Sequence, residues 1–232
     1  SSYTFTNNKA GGNPNDIYND GVMNIGVAGK TTDFNVSYVT GTGTANIFGN
    51  VNLNAANATE AAAGTIDWQN HIDVASGAAL TVNNAADFKN GTAEGGGALN
   101  VRQNGKAEFN GVTSFKGNHG NNNGGAILNY GNLVFNNTAT FDGNSGITGG
   151  GIANGGTLII NAFADFKNNE ANTYGGALNN YGGKAYLNAS ANFENNSVSQ
   201  RGGAVYNHST SEITFAGDSY TFKNNKVGGK GF

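Results

Sequence analysis

Enzymes that cleave polysaccharides need a pair of carboxylates around the scissile bond, or a base with cations beside it. Two acidic pairs in this sequence stand near a recurring distance, Glu170 with Glu194 and Asp142 with Asp165, and a third, Asp87 with Asp165, shares a position just before a phenylalanine. The second pair falls on opposite sides of a phenylalanine column, and Ser114 and Thr140 occupy the positions between the members of the third. No acidic groove converges, and no catalytic residue is expected. His71, His119 and His208 lack metal-ligand spacing, so solvated or turn histidines are expected and no metal site. Gly29-Lys30-Thr31 matches only the end of a phosphate-binding loop, because Asn24 stands where that motif requires glycine. The Asp-rich nonapeptide of calcium-binding β-rolls is missing too, and no cofactor is expected.

The tyrosines offer a different chemistry. Tyr130 and Tyr181 each follow a recurring asparagine and precede a glycine, with Tyr174, Tyr18 and Tyr206 near the same turn. Exposed in register, Tyr130, Tyr181 and Tyr206 would form an aromatic strip that stacks on sugar rings or meets protein. The alternative is that these rings cover the turn and seal the edge of the core. Thr40-Gly41-Thr42-Gly43-Thr44 suggests an ice-binding threonine array, but it occurs once rather than once per repeat.

What must position these residues is a repeat of about 27 residues. Ile25, Leu53, Val82, Phe109, Phe135, Ile160 and Leu187 each close a short run of alternating apolar residues, spaced by 28, 29, 27, 26, 25 and 27. A second column holds Phe88, Phe115, Phe141, Phe166, Phe193 and Phe222, followed by Asn118, Asn144, Asn169, Asn196 and Asn225, with Gly91 the exception. A third is a glycine pair before a small and then an apolar residue, as in Gly124-Gly125-Ala126-Ile127 and, shortened, Gly150-Gly151-Ile152. Another asparagine then recurs at Asn129, Asn154, Asn180 and Asn207, where the first rung has Val101.

Period-two alternation in Leu133-Val134-Phe135 or Ala164-Asp165-Phe166 is a strand pattern with one buried face, and Gly and Asn between such segments tolerate positive φ. About three short strands per repeat are expected. One such coil cannot bury its apolar residues alone, whereas coils stacked about 4.8 Å apart set each Phe over the next. Stacked asparagine amides then donate to one neighbour and accept from the other. The expected fold is therefore all-β, a right-handed parallel β-helix of about eight to nine coils. Residues 1–232 form one segment, with irregular coils in 1–80 and regular ones in 81–232. Only Asn57 to Ala63 has helix-compatible composition, with an insertion loop as the alternative.

Composition excludes several functions. The 38 glycines in 232 residues lack the three-residue period of collagen, and 37% hydrophobic content is too apolar for simple disorder. A net charge of −3, with 12 basic and 15 acidic side chains dispersed along the chain, leaves no footprint for nucleic acid or an anionic membrane. Absence of Cys removes disulfides and thiol chemistry together. Ser2 to Gly12 matches Ser219 to Gly229 at nine of eleven positions, which predicts that the chain ends in the phase in which it begins, as a slice of a longer rod would.

Gly-Gly-Ala-(Ile/Leu/Val) alternating with Phe-x-x-Asn resembles the polymorphic outer membrane protein repeats of Gram-negative autotransporter passenger domains. The motifs stand at Gly124 to Ile127, Gly175 to Leu178 and Gly202 to Val205, and at Phe115 to Asn118, Phe141 to Asn144, Phe166 to Asn169, Phe193 to Asn196 and Phe222 to Asn225. The resemblance covers about residues 80 to 229 and implies a β-helix exported through the outer membrane by a C-terminal barrel outside this chain. It implies a cell-surface adhesin without enzymatic activity, whose partner is a host or neighbouring-cell protein or glycan, or a further copy. A polysaccharide lyase or hydrolase and a self-assembling filament subunit are the alternative functions. Neither nucleic-acid binding nor membrane insertion by this segment is expected.

Overall fold

The computed structural model describes residues 2–5, 8–10, 13–14, 16–54 and 66–228. Within them the chain is all strand and turn, wound as a parallel β-helix. The one antiparallel pairing joins Lys9–Ala10 to Asn13–Pro14. No helix among the described residues is long and apolar enough to cross a membrane. Asn57 to Ala63 lies outside the described residues.

One coil illustrates the rest. Ala79–Val82 forms the first side, Ala86–Lys89 the second, Thr92–Ala93 the third and Leu99–Val101 the fourth, before Lys106–Phe109 returns to the first side one layer on. The first and second sides are nine-stranded sheets, the fourth has eight strands, and the third has six. Three strands per repeat were expected, and a fourth is present. It escapes a search for alternating apolar residues because it is mostly two residues long and contains Gly120 or Gly146 at its centre.

Coil length follows the number of sides. Before the third side begins, partners are 19 residues apart from Thr31 to Asn50 and 20 apart from Ile66 to Ala86. With it, Ala79 pairs with Lys106 and Lys106 with Asn132, a step of 27 and then 26. The short early coils shift two expected placements. Ile25 belongs to the fourth side, paired with Ile47, while the first-side column runs from Phe34 through Leu53, Val82, Phe109, Phe135, Ile160 and Leu187 to Phe215. Ser2–Thr4 lies on the first side against Asp33, Phe34 and Asn35, whereas its sequence twin, Ser219 to Thr221, leads into the strand Tyr220–Lys223 on the second. The shared phase is thus corrected: packing of Phe5 on Phe34, with centroids 5.4 Å apart, holds the early segment to a different side.

The phenylalanine column is a continuous stack. Phe88, Phe115, Phe141, Phe166, Phe193 and Phe222 are partners in register, with successive centroids 5.0, 5.0, 4.6, 4.9 and 4.8 Å apart and rings nearly parallel. All but Phe222, which is 52% exposed, are buried. Trp68 and Val39 continue the column toward the amino terminus.

After each Phe the chain must turn inward, and it does so through a left-handed residue. Asn90, Gly117, Gly143, Asn168, Asn195 and Asn224 have φ between 55° and 65°, a region that Gly and Asn enter at least cost. The next residue is the ladder asparagine. Asn118 Nδ2 donates to Asn144 Oδ1 at 3.0 Å, Asn144 to Asn169, Asn169 to Asn196 and Asn196 to Asn225, each of these at 2.9 Å. Each Nδ2 also donates to a Phe carbonyl of the previous coil, and each Oδ1 also accepts the backbone N–H of the preceding rung. At the first rung the Gly91 N–H donates to Asn118 Oδ1, so the missing side chain leaves the ladder capped.

A second ladder closes the corner between the fourth and first sides. Asn129 donates to Asn154 at 2.7 Å, Asn154 to Asn180 at 2.8 Å and Asn180 to Asn207 at 2.7 Å. Asn129, Asn154 and Asn180 are fully buried, so each unmade bond would leave a desolvated amide. The glycine pair allows the layers to approach between the third and fourth sides: a Cβ on Gly125 would lie 2.0 Å from the Gly150 carbonyl oxygen. In that coil the pair is Gly149-Gly150, and Gly151 takes the alanine position, as the pairing of Ile127 with Ile152 requires.

Candidate binding groove on the fourth side

In an ordinary strand on the surface of a solenoid, the central residue of three faces water. Ile127–Asn129, Ile152–Asn154 and Leu178–Asn180 are instead buried at all three positions. Their outward residues form a row in register, Asn100, Leu128, Ala153, Asn179 and Tyr206. Leu128 is 5% exposed and Asn179 3%, so walls must rise on either side of this row.

One wall is Thr148, Tyr174 and Arg201, partners at the end of the third side, joined to Asn123 through the Thr148 N–H. The other is the position after the second asparagine ladder, where backbone N–H groups tie Tyr130, Gly155, Tyr181 and His208 to the layer below. Gly155 is required there because the tyrosines fold over it: a Cβ would lie 2.9 Å from the Tyr130 ring. Tyr130 and Tyr181 meet edge to face with centroids 6.0 Å apart.

The result is a groove along the rod with two depressions. The first, of about 510 Å³, is lined by Asn100, Arg102, Gln103, Leu128, Tyr130 and Gly155. The second, of about 470 Å³, lies among Asn123, Thr148, Tyr174, Asn179, Tyr181 and Tyr206, with Arg201 and His208 at its margin. Four layers separate Asn100 from Tyr206, which makes the floor about 19 Å long. Buried polar atoms without a hydrogen-bond partner line both depressions: Asn100 Oδ1 in the first, Thr148 Oγ1 and Asn179 Oδ1 in the second. The Tyr181 hydroxyl makes no well-aligned hydrogen bond either, and burial, with the Tyr130 phenol beside it, pushes its pKa up. In the first depression Asp73 holds the Arg102 guanidinium at 2.5 Å and raises its pKa.

The expected tyrosine strip is redrawn by this geometry. Tyr130 and Tyr181 do share one wall, 43% of Tyr130 being exposed. Tyr206 sits two positions earlier in its coil, on the floor, and stacks on Tyr174 of the opposite wall at 4.7 Å. The three are therefore not one column, because Tyr206 precedes its ladder asparagine and so points from the strand rather than from the corner. Tyr18 is remote, on the second side. Asn123, Thr148 and Asn179, which sequence reasoning missed, carry no motif: Asn123 lies in the bend before the glycine pair, Thr148 at the end of a strand and Asn179 at an outward strand position.

The acidic pairs do not converge. Asp142 and Glu194 each face Lys167 across adjacent layers, Asp165 is paired with Lys167 at 2.7 Å, and Glu170 is on the third side, away from Glu194. Among the described residues no group of three His, Asp or Glu could hold a metal.

Comparison with known proteins agrees with this architecture. The model of the Chlamydia polymorphic membrane protein repeat matches residues 112–130 and 190–208. No curated protein and no solved structure matches the chain. Each matched stretch runs from the second side through the left-handed turn, the ladder asparagine and the glycine pair to the end of the fourth side. They supply Asn123, Leu128 and Tyr130 to the groove in one case and Arg201, Tyr206 and His208 in the other. The chain is thus a β-solenoid in which two stretches, three coils apart, match the polymorphic membrane protein repeat.

Proposed function

We propose that this chain is a non-enzymatic segment of a surface-exposed autotransporter passenger, a rigid rod that presents the fourth-side groove to a host or neighbouring-cell surface. The repeat match supports the passenger assignment. The adhesive role rests on one observation: an aromatic groove whose floor is desolvated and whose buried polar atoms lack partners, on an otherwise periodic rod. Such a surface gains more from a ligand than the exposed sides do, since ring faces and orphaned polar atoms are already withdrawn from water.

Beads coated with the chain should bind cultured epithelial or bacterial cells, and Tyr130→Ser with Tyr181→Ser should reduce binding several-fold while the far-UV circular dichroism stays unchanged. Undiminished binding by that folded double variant would reject the groove as the adhesive surface. Release of reducing or unsaturated sugar ends from a polysaccharide panel would overturn the non-enzymatic assignment.

A further inference from the structure

The two depressions differ in one respect that bears on the ligand. In the first, the only arginine is neutralised by Asp73. In the second, Arg201 takes part in none of the ion pairs formed among the described residues, and no carboxylate lines the site. Arg201 continues the wall that Thr148 and Tyr174 build, as the bridge partner of Tyr174, and lines the depression with the stacked rings of Tyr174 and Tyr206. His208 lies across from it, 6.4 Å from Tyr206 between ring centroids.

We infer that the depression bounded by Tyr174, Tyr181, Tyr206 and Arg201 is a subsite for a carboxylate-bearing sugar ring, with Arg201 as its counter-ion. This deepens the adhesive reading above and rests on it. An aromatic ring presents a flat apolar face to the C–H side of a pyranose, and a guanidinium offers a carboxylate two parallel donors. The sugar hydroxyls supply both donors and acceptors, which Thr148 Oγ1 and the buried Asn179 Oδ1 lack. A volume near 470 Å³ suits a small ring and is too small for a helix or a folded partner. A single free arginine on a chain of net charge −3 also selects one carboxylate per ring over a densely sulfated polymer.

The test is titration of the full chain, followed by NMR or calorimetry, with a sialylated trisaccharide, a uronic-acid tetrasaccharide and the neutral counterpart of each. One acidic probe should bind at least about tenfold more tightly than its neutral counterpart, and which of the two does so identifies the source of the carboxylate. Arg201→Gln should remove that preference and leave the weaker neutral binding, whereas Tyr206→Ser should remove both. The inference is overturned if acidic and neutral sugars bind alike, if the folded Arg201→Gln variant keeps the preference, or if neither acidic probe binds by about 10 mM. In the bead assay, retention of cell binding by Arg201→Gln alongside its loss in the Tyr130/Tyr181 variant would sink the sugar subsite while the adhesive surface stands. Loss in neither variant would sink both.

Discussion

Coils before residue 90 and coils after it solve the same packing problem with different parts. The early coils are three-sided, and the corner after their second side is closed by individual bonds: Asn19 Nδ2 donates to Asn70 Oδ1, and Asn70 Nδ2 to the Asn19 and Thr40 carbonyls. The later coils add a left-handed residue, a ladder asparagine, a two-residue strand and a glycine pair. In these coils the buried second-side column is Phe at every rung, where the early coils hold Ile17, Val39 and Trp68. The insertion also raises the wall that turns a flat fourth side into a groove. The repeat motif is thus a corner device, and the groove is a by-product of the way it closes the coil.

Substituting equivalent positions in the two regions sharpens this contrast most. Phe141→Ala removes a ring held between Phe115 and Phe166 and should cost about 3–5 kcal/mol. Val39→Ala, in the same column of a three-sided coil, should cost less than half of that, by urea denaturation of both variants. Equal losses would show that the stack adds nothing beyond side-chain volume.

Asn144→Ala comes next. It leaves the Asn118 amide without its acceptor inside the core, so about 2–3 kcal/mol should be lost. Asn110→Ala, in an exposed ladder where Asn110 donates to Asn83 and accepts from Asn136, should cost under about 0.5 kcal/mol. Comparable losses at the two sites would mean that burial of the amide is not what gives the inner ladder its strength.

The smallest effect is expected at the junction of the two regions. Burial holds the His71 imidazole below its ordinary pKa, aided by Arg102 and opposed by Asp73 and the Gly96 and Gly97 backbone. The unfolded chain therefore binds the proton more readily than the folded one. Stability is full above the unfolded value near 6.5 and falls as pH drops through it toward the lower folded value. The protection factors of the strands Thr44–Ile47 and His71–Val74, taken relative to the intrinsic exchange rate at each pH, should fall between pH 7 and 5, and His71→Gln should flatten that dependence. A profile unchanged by His71→Gln would remove the junction as a weak point.

Much of this fold was legible because each rung repeats the chemistry of the last. The Phe column, both inner asparagine columns and the Val101 rung stand where their spacing put them. Ile25 was misassigned because a 19-residue coil and a 27-residue coil cannot share one spacing. An outer ladder through Asn83, Asn110, Asn136, Asn161 and Asn188 went unread although each follows the first-side apolar column by one residue. On a chain so rich in asparagine, exposed columns have no apolar partner to mark them. Of the groove, the sequence disclosed Tyr130, Tyr181 and Tyr206 but neither Tyr174 as a stacking partner nor Asn179 as the floor.

The coil is written in the order of residues: which of them face inward, where the backbone must turn through positive φ, and which side chains recur one layer away. These are local matters, set by alternation, by the tolerance of Gly and Asn, and by period. What lies between neighbouring corners is set by stacking, because a wall and a floor from different parts of several coils meet only once the layers are in place. That is why Arg201 pairs with no carboxylate among the described residues while Arg102 does, a distinction made by the outward neighbours of each and not by any spacing along the chain.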